Sequence, residues 1–131
     1  MSQTPRNDVQ DWLDRSDYDL KTAEAMLQTG RYLYVFFCCQ QAVEKRYKAR
    51  ILSRTGQMPP RIHDLVRLAE IAQVELSPDQ ERLSRDLNRL YIQSRYPLEL
   101  GELGKEAVRE LAEQVLRDVK GYSKWLDRLT N

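Results

Sequence analysis

The chain has 131 residues but only one histidine, His63, and two cysteines, Cys38 and Cys39. Neighbouring cysteines cannot staple distant segments together, which excludes a disulfide framework. One histidine and two adjacent thiols cannot complete a four-ligand zinc site, so neither a metal nor a cofactor is expected. With no Gly-x-Ser-x-Gly and a single histidine, the usual Ser or Cys nucleophile machinery is also disfavoured, although a lone histidine could still serve a cysteine. Five glycines and five prolines are too few for a many-turned β protein. The apolar run Leu33–Cys39 is far shorter than the roughly 20 residues a membrane helix needs. The polar, acidic N-terminal stretch reads as neither a signal nor a transit peptide. A cytoplasmic protein without membrane contact is expected. Charge of one sign is lacking as well: 21 Lys and Arg face 20 Asp and Glu, for a net charge of +1. Nothing global points to nucleic acid or an anionic surface.

What is present is helical spacing. At 41% apolar and 31% charged residues, the composition fits one folded domain over residues 1–131, with a core at about 8–128. Val9, Trp12, Leu13, Leu20, Ala23 and Leu27 recur at three- and four-residue steps and predict a helix from about Asp8 to Gln28, stopped by Gly30. A second helix is predicted from about Tyr32 to Arg54, its first half buried all round, with Gly56, Pro59 and Pro60 ending it. A short helix is expected over about Ile62–Val74. Ser77-Pro78-Asp79-Gln80 has the capping-box arrangement and opens a fourth helix, which ends before Pro97. Val108, Leu111, Ala112, Val115, Val119, Tyr122 and Leu126 predict the last, from about Lys105 to Leu129. The expected fold is all-α: an antiparallel bundle of four longer helices plus one short helix. Cys38, Cys39, Trp12, Phe36 and Phe37 are assigned to the core or to an interface.

The balanced total hides a local asymmetry. Residues 44–67 carry seven basic and two acidic side chains. Arg82, Arg85 and Arg89 form a second basic row at helical spacing. Such runs are either solvated faces or anion sites for nucleotide, RNA phosphate or an acidic partner. Glu44 and Lys48, four apart, are either a surface pair or, with Gln40, part of a polar pocket against Tyr91 and Arg95. Arg95 can cap its own helix or hold an anion bidentately. His63, near the start of the short helix, reads as an N-terminal or packing residue rather than a catalyst.

Three segments together resemble a known family. They are Asp19-Leu20-Lys21-Thr22-Ala23 with Gly30-Arg31-Tyr32; Cys39-Gln40-Gln41-Ala42-Val43-Glu44-Lys45-Arg46-Tyr47-Lys48-Ala49; and Tyr91-Ile92-Gln93-Ser94-Arg95-Tyr96-Pro97. His63-Asp64-Leu65 sits where that family often has His-x-Leu. Across roughly residues 8 to 128 the chain resembles the HEPN family, the "higher eukaryotes and prokaryotes nucleotide-binding" helical domains. The resemblance implies an all-α bundle, usually dimeric. Many bacterial members pair with a minimal nucleotidyltransferase in a toxin–antitoxin-like unit. Many others are metal-independent ribonucleases with an Arg-x(4–6)-His motif, in which Arg steadies phosphate charge and His acts on the ribose 2′-OH.

That motif does not occur in this chain. After Arg95 the histidine positions hold Leu100, Gly101 and Glu102, and before His63 the arginine positions hold Met58, Gln57 and Gly56. No catalytic residue is therefore assigned. The expected function is a helical interaction module that forms a homodimer and binds a minimal nucleotidyltransferase partner, nucleotide, or both. The residues expected to bind nucleotide or another anion, RNA included, are Gln41, Glu44, Lys48, Tyr91, Arg95 and Tyr96. The alternative is a toxin-like, metal-independent ribonuclease with an altered active site.

Overall fold

A computed structural model describes residues 5–94 and 104–129, and within them every regular element is a helix. In chain order these are α1 (Pro5–Gln28), α2 (Tyr32–Thr55), α3 (Leu65–Ile71), α4 (Pro78–Gln93) and α5 (Lys105–Arg128). The four long helices and the short one match the expected architecture. α1 begins three residues earlier than the apolar period indicates, because Pro5 suits a first helical position, where its missing N–H costs nothing.

Backbone chemistry sets the boundaries. α1 stops where Gly30 turns left-handed (φ 78°) and the Arg31 amide reaches back to the Met26 carbonyl at 2.8 Å, a Schellman closure that glycine permits. Gly56 (φ 69°) ends α2 in the same conformation. α3 is shorter than Ile62–Val74. The Asp64 side chain accepts from the Val66 and Arg67 amides and so fixes the start at Leu65, leaving Ile62 and His63 in the preceding loop. Its other end closes with a non-glycine residue in the left-handed region, Gln73 (φ 57°), while the Val74 amide bonds the Ala69 carbonyl at 2.9 Å. The α4 capping box is complete, Ser77 and Gln80 exchanging bonds with each other's backbone amides at 3.2 and 2.9 Å.

α2 is the axis of the molecule: α1, α3, α4 and α5 all pack on it, and α1 packs most extensively. Val35, Phe36, Cys39, Val43 and Tyr47 from α2 meet Ala23, Leu65, Leu68, Leu87, Ala112 and Val119 in one core. Ser16 allows α1 and α2 to approach closely, and its hydroxyl donates to the Ala42 carbonyl at 2.6 Å. The all-round burial expected for the first half of α2 belongs instead to its middle. Tyr34 and Phe37 are exposed, whereas nearly every side chain from Cys38 to Leu52 is buried, Gln40, Glu44, Arg46 and Lys48 among them. Four surrounding helices enclose that stretch, and its polar groups are satisfied internally, which makes their burial tolerable. No described helix is long and apolar enough to cross a membrane.

Candidate functional site

Gln40, Glu44 and Lys48 lie one turn apart and stack along one face of α2. Glu44 is the hub. Its Oε2 accepts from Lys48 Nζ at 3.0 Å, and its Oε1 accepts from Gln40 Nε2 at 3.2 Å and pairs with His63 Nδ1 at 2.8 Å. The Glu44 and Lys48 side chains are only 4% and 9% exposed, so this is a buried pair and not a surface one. A carboxylate this deep requires such donors, because a buried unpaired charge costs several kcal/mol. Lys48 Nζ also sits 5.7 Å from the centre of the Trp12 ring, a cation–π placement that covers the ammonium from the α1 side.

His63 is held from two directions. Gln40 Nε2 donates to its backbone carbonyl at 2.8 Å, and Glu44 takes its Nδ1. An ionised carboxylate only accepts, so Nδ1 carries the hydrogen and Nε2 is the free nitrogen. The His63 side chain is 57% exposed. Its ring lies 5.8 Å from that of Tyr91, which stacks on Phe37 at 5.4 Å. Next to this pair a cleft of about 350 Å³ is lined by His63, Asp64, Asn88, Tyr91 and Ile92. Asn88 fastens α4 to the loop, donating to Asp64 Oδ1 at 2.9 Å and accepting from the Leu65 amide at 3.0 Å. A histidine oriented by a buried carboxylate, with the other nitrogen open, is arranged for proton transfer.

Sequence reasoning set His63 aside. Nothing in its immediate neighbours shows that the loop folds back onto Glu44, and the only available signal was its place in the His-Asp-Leu triplet. Of the six expected anion-binding residues, Glu44 and Lys48 share the buried cluster. Gln41 flanks it, donating to Gln40 Oε1 at 2.8 Å, and Tyr91 faces it through His63. Arg95 and Tyr96 lie outside the described residues, as does the region of Leu100, Gly101 and Glu102.

Four of the seven basic side chains of segment 44–67 have carboxylate partners. Lys45 pairs with Asp19 at 2.6 Å, Arg46 with Asp17 and Asp127 at 2.8 and 3.0 Å, Lys48 with Glu44, and Arg67 with Glu70 at 2.9 Å. Burial opposes the Arg46 charge, but its bonds to Asp127 and Asp17 outweigh that and tighten its hold on the proton. Arg82, Arg85 and Arg89 each pair with an acid on their own helix, as on a solvated face. Burial raises the Cys38 thiol to about 11, with Asp19 adding to the shift, and raises Cys39 further, so both are poor nucleophiles. The Tyr47 and Tyr122 hydroxyls bond to each other in the core, and burial raises both phenols. Among the described residues no group of three or more His, Cys, Asp or Glu side chains is placed to hold a metal ion.

No curated protein matches the chain. A crystal structure of TT1696 from Thermus thermophilus aligns with a TM-score of 0.62 and 27% identity, over 86% of this chain and 96% of its own. The family model described as "HEPN domain" matches residues 9–129. That match covers all five helices except the first turn of α1 and spans the Gln40–Glu44–Lys48 cluster and His63. The chain belongs to the HEPN domain family.

Proposed function

We propose that the chain is a non-catalytic, cytoplasmic interaction module. In this reading it forms a homodimer and binds a minimal nucleotidyltransferase protein, a nucleotide, or both. The observation that carries it is the face on which Tyr34, Phe37 and Ile92 stand exposed around the Phe37–Tyr91 stack. Contiguous apolar surface of that kind favours a protein partner. The missing Arg-x(4–6)-His spacing supports the non-catalytic part, and family membership supports the partner class. Nucleotide or anion binding is assigned to Gln41, Glu44, Lys48, Tyr91, Arg95 and Tyr96. Because Glu44 compensates Lys48, Arg95 is the main anion ligand within that set.

Sedimentation at micromolar concentration tests assembly: a mass of twice 15.5 kDa is expected, reduced to one protomer in Phe37→Glu. Nucleotide binding is tested by titrating ATP and GTP into wild type, Arg95→Ala and Lys48→Ala. Binding unchanged in both variants removes the proposed site.

One observation favours the ribonuclease alternative: the Glu44–His63 pair with Nε2 open beside the Tyr91 cleft. A positioned acid–base of this kind is typically worth about 10²–10⁴-fold. Single-stranded RNA separates the two readings. The module reading expects no cleavage above background; cleavage abolished by His63→Ala would establish the enzyme instead.

A further inference from the structure

A second cleft lies on the other side of α2, where α1, α2 and the end of α5 converge, well away from the Glu44 cluster. Its volume is about 340 Å³, at the small end of the roughly 300–1,000 Å³ range of ligand pockets. Val9 and Leu13 from α1 and Leu126 and Leu129 from the end of α5 supply apolar walls, and Arg50 reaches it from α2.

Arg50 departs from the pattern of its helix. Lys45, Arg46 and Lys48 all have carboxylate partners, whereas Arg50 has none among the described residues. Its Nε donates to the Ala72 carbonyl at 3.2 Å, so the two terminal nitrogens keep donor capacity, and the residue lines the cleft. Burial and the like charge of Arg54 both loosen its hold on its proton, the electrostatic situation an anion relieves. The rim also discriminates. Asp17 and Asp127 line the same cleft and are 56% and 47% exposed. Arg46, which they share, offsets only part of their charge, so the net attraction for an anion is weak and the desolvation cost, which grows with the square of the ligand's charge, disfavours a dianion relative to a monoanion.

We propose that this cleft binds a small amphiphilic carboxylate, its head group held by Arg50 and its apolar chain lying along Val9, Leu13, Leu126 and Leu129. The site is independent of the partner and nucleotide binding proposed above. Octanoate is the probe, with octanol and octyl phosphate as comparators, each titrated calorimetrically into the wild-type protein. Octanoate should bind most tightly. Arg50→Gln should weaken it at least about tenfold, the scale of a lost charge-assisted hydrogen bond, and Arg50→Lys should retain part of the affinity. Leu13→Asn should weaken octanoate and leave the rank order of the three probes unchanged. Because Arg50 also supports the end of α3, the probe series on the unmodified protein decides independently of any folding defect in a variant. Octanol binding as tightly as octanoate, octyl phosphate binding better than either, or no octanoate binding at all overturns the proposal.

Discussion

Two buried charges sit two residues apart on α2 and point to different sides of the molecule. Glu44 is an anion enclosed by Lys48, Gln40 and His63, and Arg46 is a cation enclosed by Asp17, Asp127 and Ser16. The two differ in where their partners stand. Arg46's carboxylates are half in water, and they come from α1 and α5, so this node ties three helices together. Glu44's main partner, Lys48, is as deeply buried as Glu44 itself, and only His63 reaches solvent. Arg46 is therefore an architectural residue with a tolerant environment, whereas Glu44 is a demanding buried charge that leaves one titratable group at the surface. Of the two, the Glu44 side is the one equipped for proton transfer.

That contrast predicts an order of costs. Glu44→Ala strands Lys48 as a buried, uncompensated cation and should cost about 3–5 kcal/mol in a urea melt. Arg46→Ala removes more hydrogen bonds, yet Asp17 and Asp127 simply rehydrate, so about 2–3 kcal/mol is expected, with Arg46→Met recovering over half. A larger loss from Arg46→Ala than from Glu44→Ala would break the comparison.

A smaller effect follows at alkaline pH from the core residues of α2. The Cys38 thiol has an ordinary value of 9.0, raised to about 11 in the fold. Below pH 9 both states hold the proton and stability does not respond. Between pH 9 and 11 the unfolded chain ionises first, and the Cys38 share of stability drains by about 2 kcal/mol, with Cys39 adding to the loss. The raised Tyr47 and Tyr122 phenols extend the decline above pH 10. Thermal melts across this range should show it, and Cys38→Ala should remove this thiol's share of the loss while Cys39, raised further by burial, keeps the onset near pH 9. The smallest effect is expected for His63→Ala, about 1 kcal/mol or less because its ring is mostly in water. A loss matching that of Glu44→Ala would make His63 structural and withdraw it from the site.

The helices were legible because their apolar period and terminators are local. Gly30, Gly56 and the Ser77–Gln80 box act within a few residues of themselves, and each appears where expected. α3 was overextended because Asp64 looks like an ordinary helical residue until its side chain turns back to the Val66 amide. Gln73 adopts a left-handed conformation that its residue type gives no reason to expect. The site was harder for a different reason. A Glu and a Lys four apart look the same on a surface and in a core, and only the arrival of Trp12 from α1 and His63 from the α2–α3 loop decides between them. Arg95 and Tyr96, prominent in the motif, fall outside the described residues.

The three-residue turn at Thr29–Arg31 has a kinetic consequence. It lets α1 and α2 meet at little loop-closure cost, whereas the Arg46–Asp127 bonds join residues 81 positions apart. The hairpin should therefore form early and α5 should dock late. Removing the Ser16 hydroxyl would slow folding, while removing the Asp127 carboxylate would chiefly hasten unfolding. The helix that closes the core would also be the first to let go.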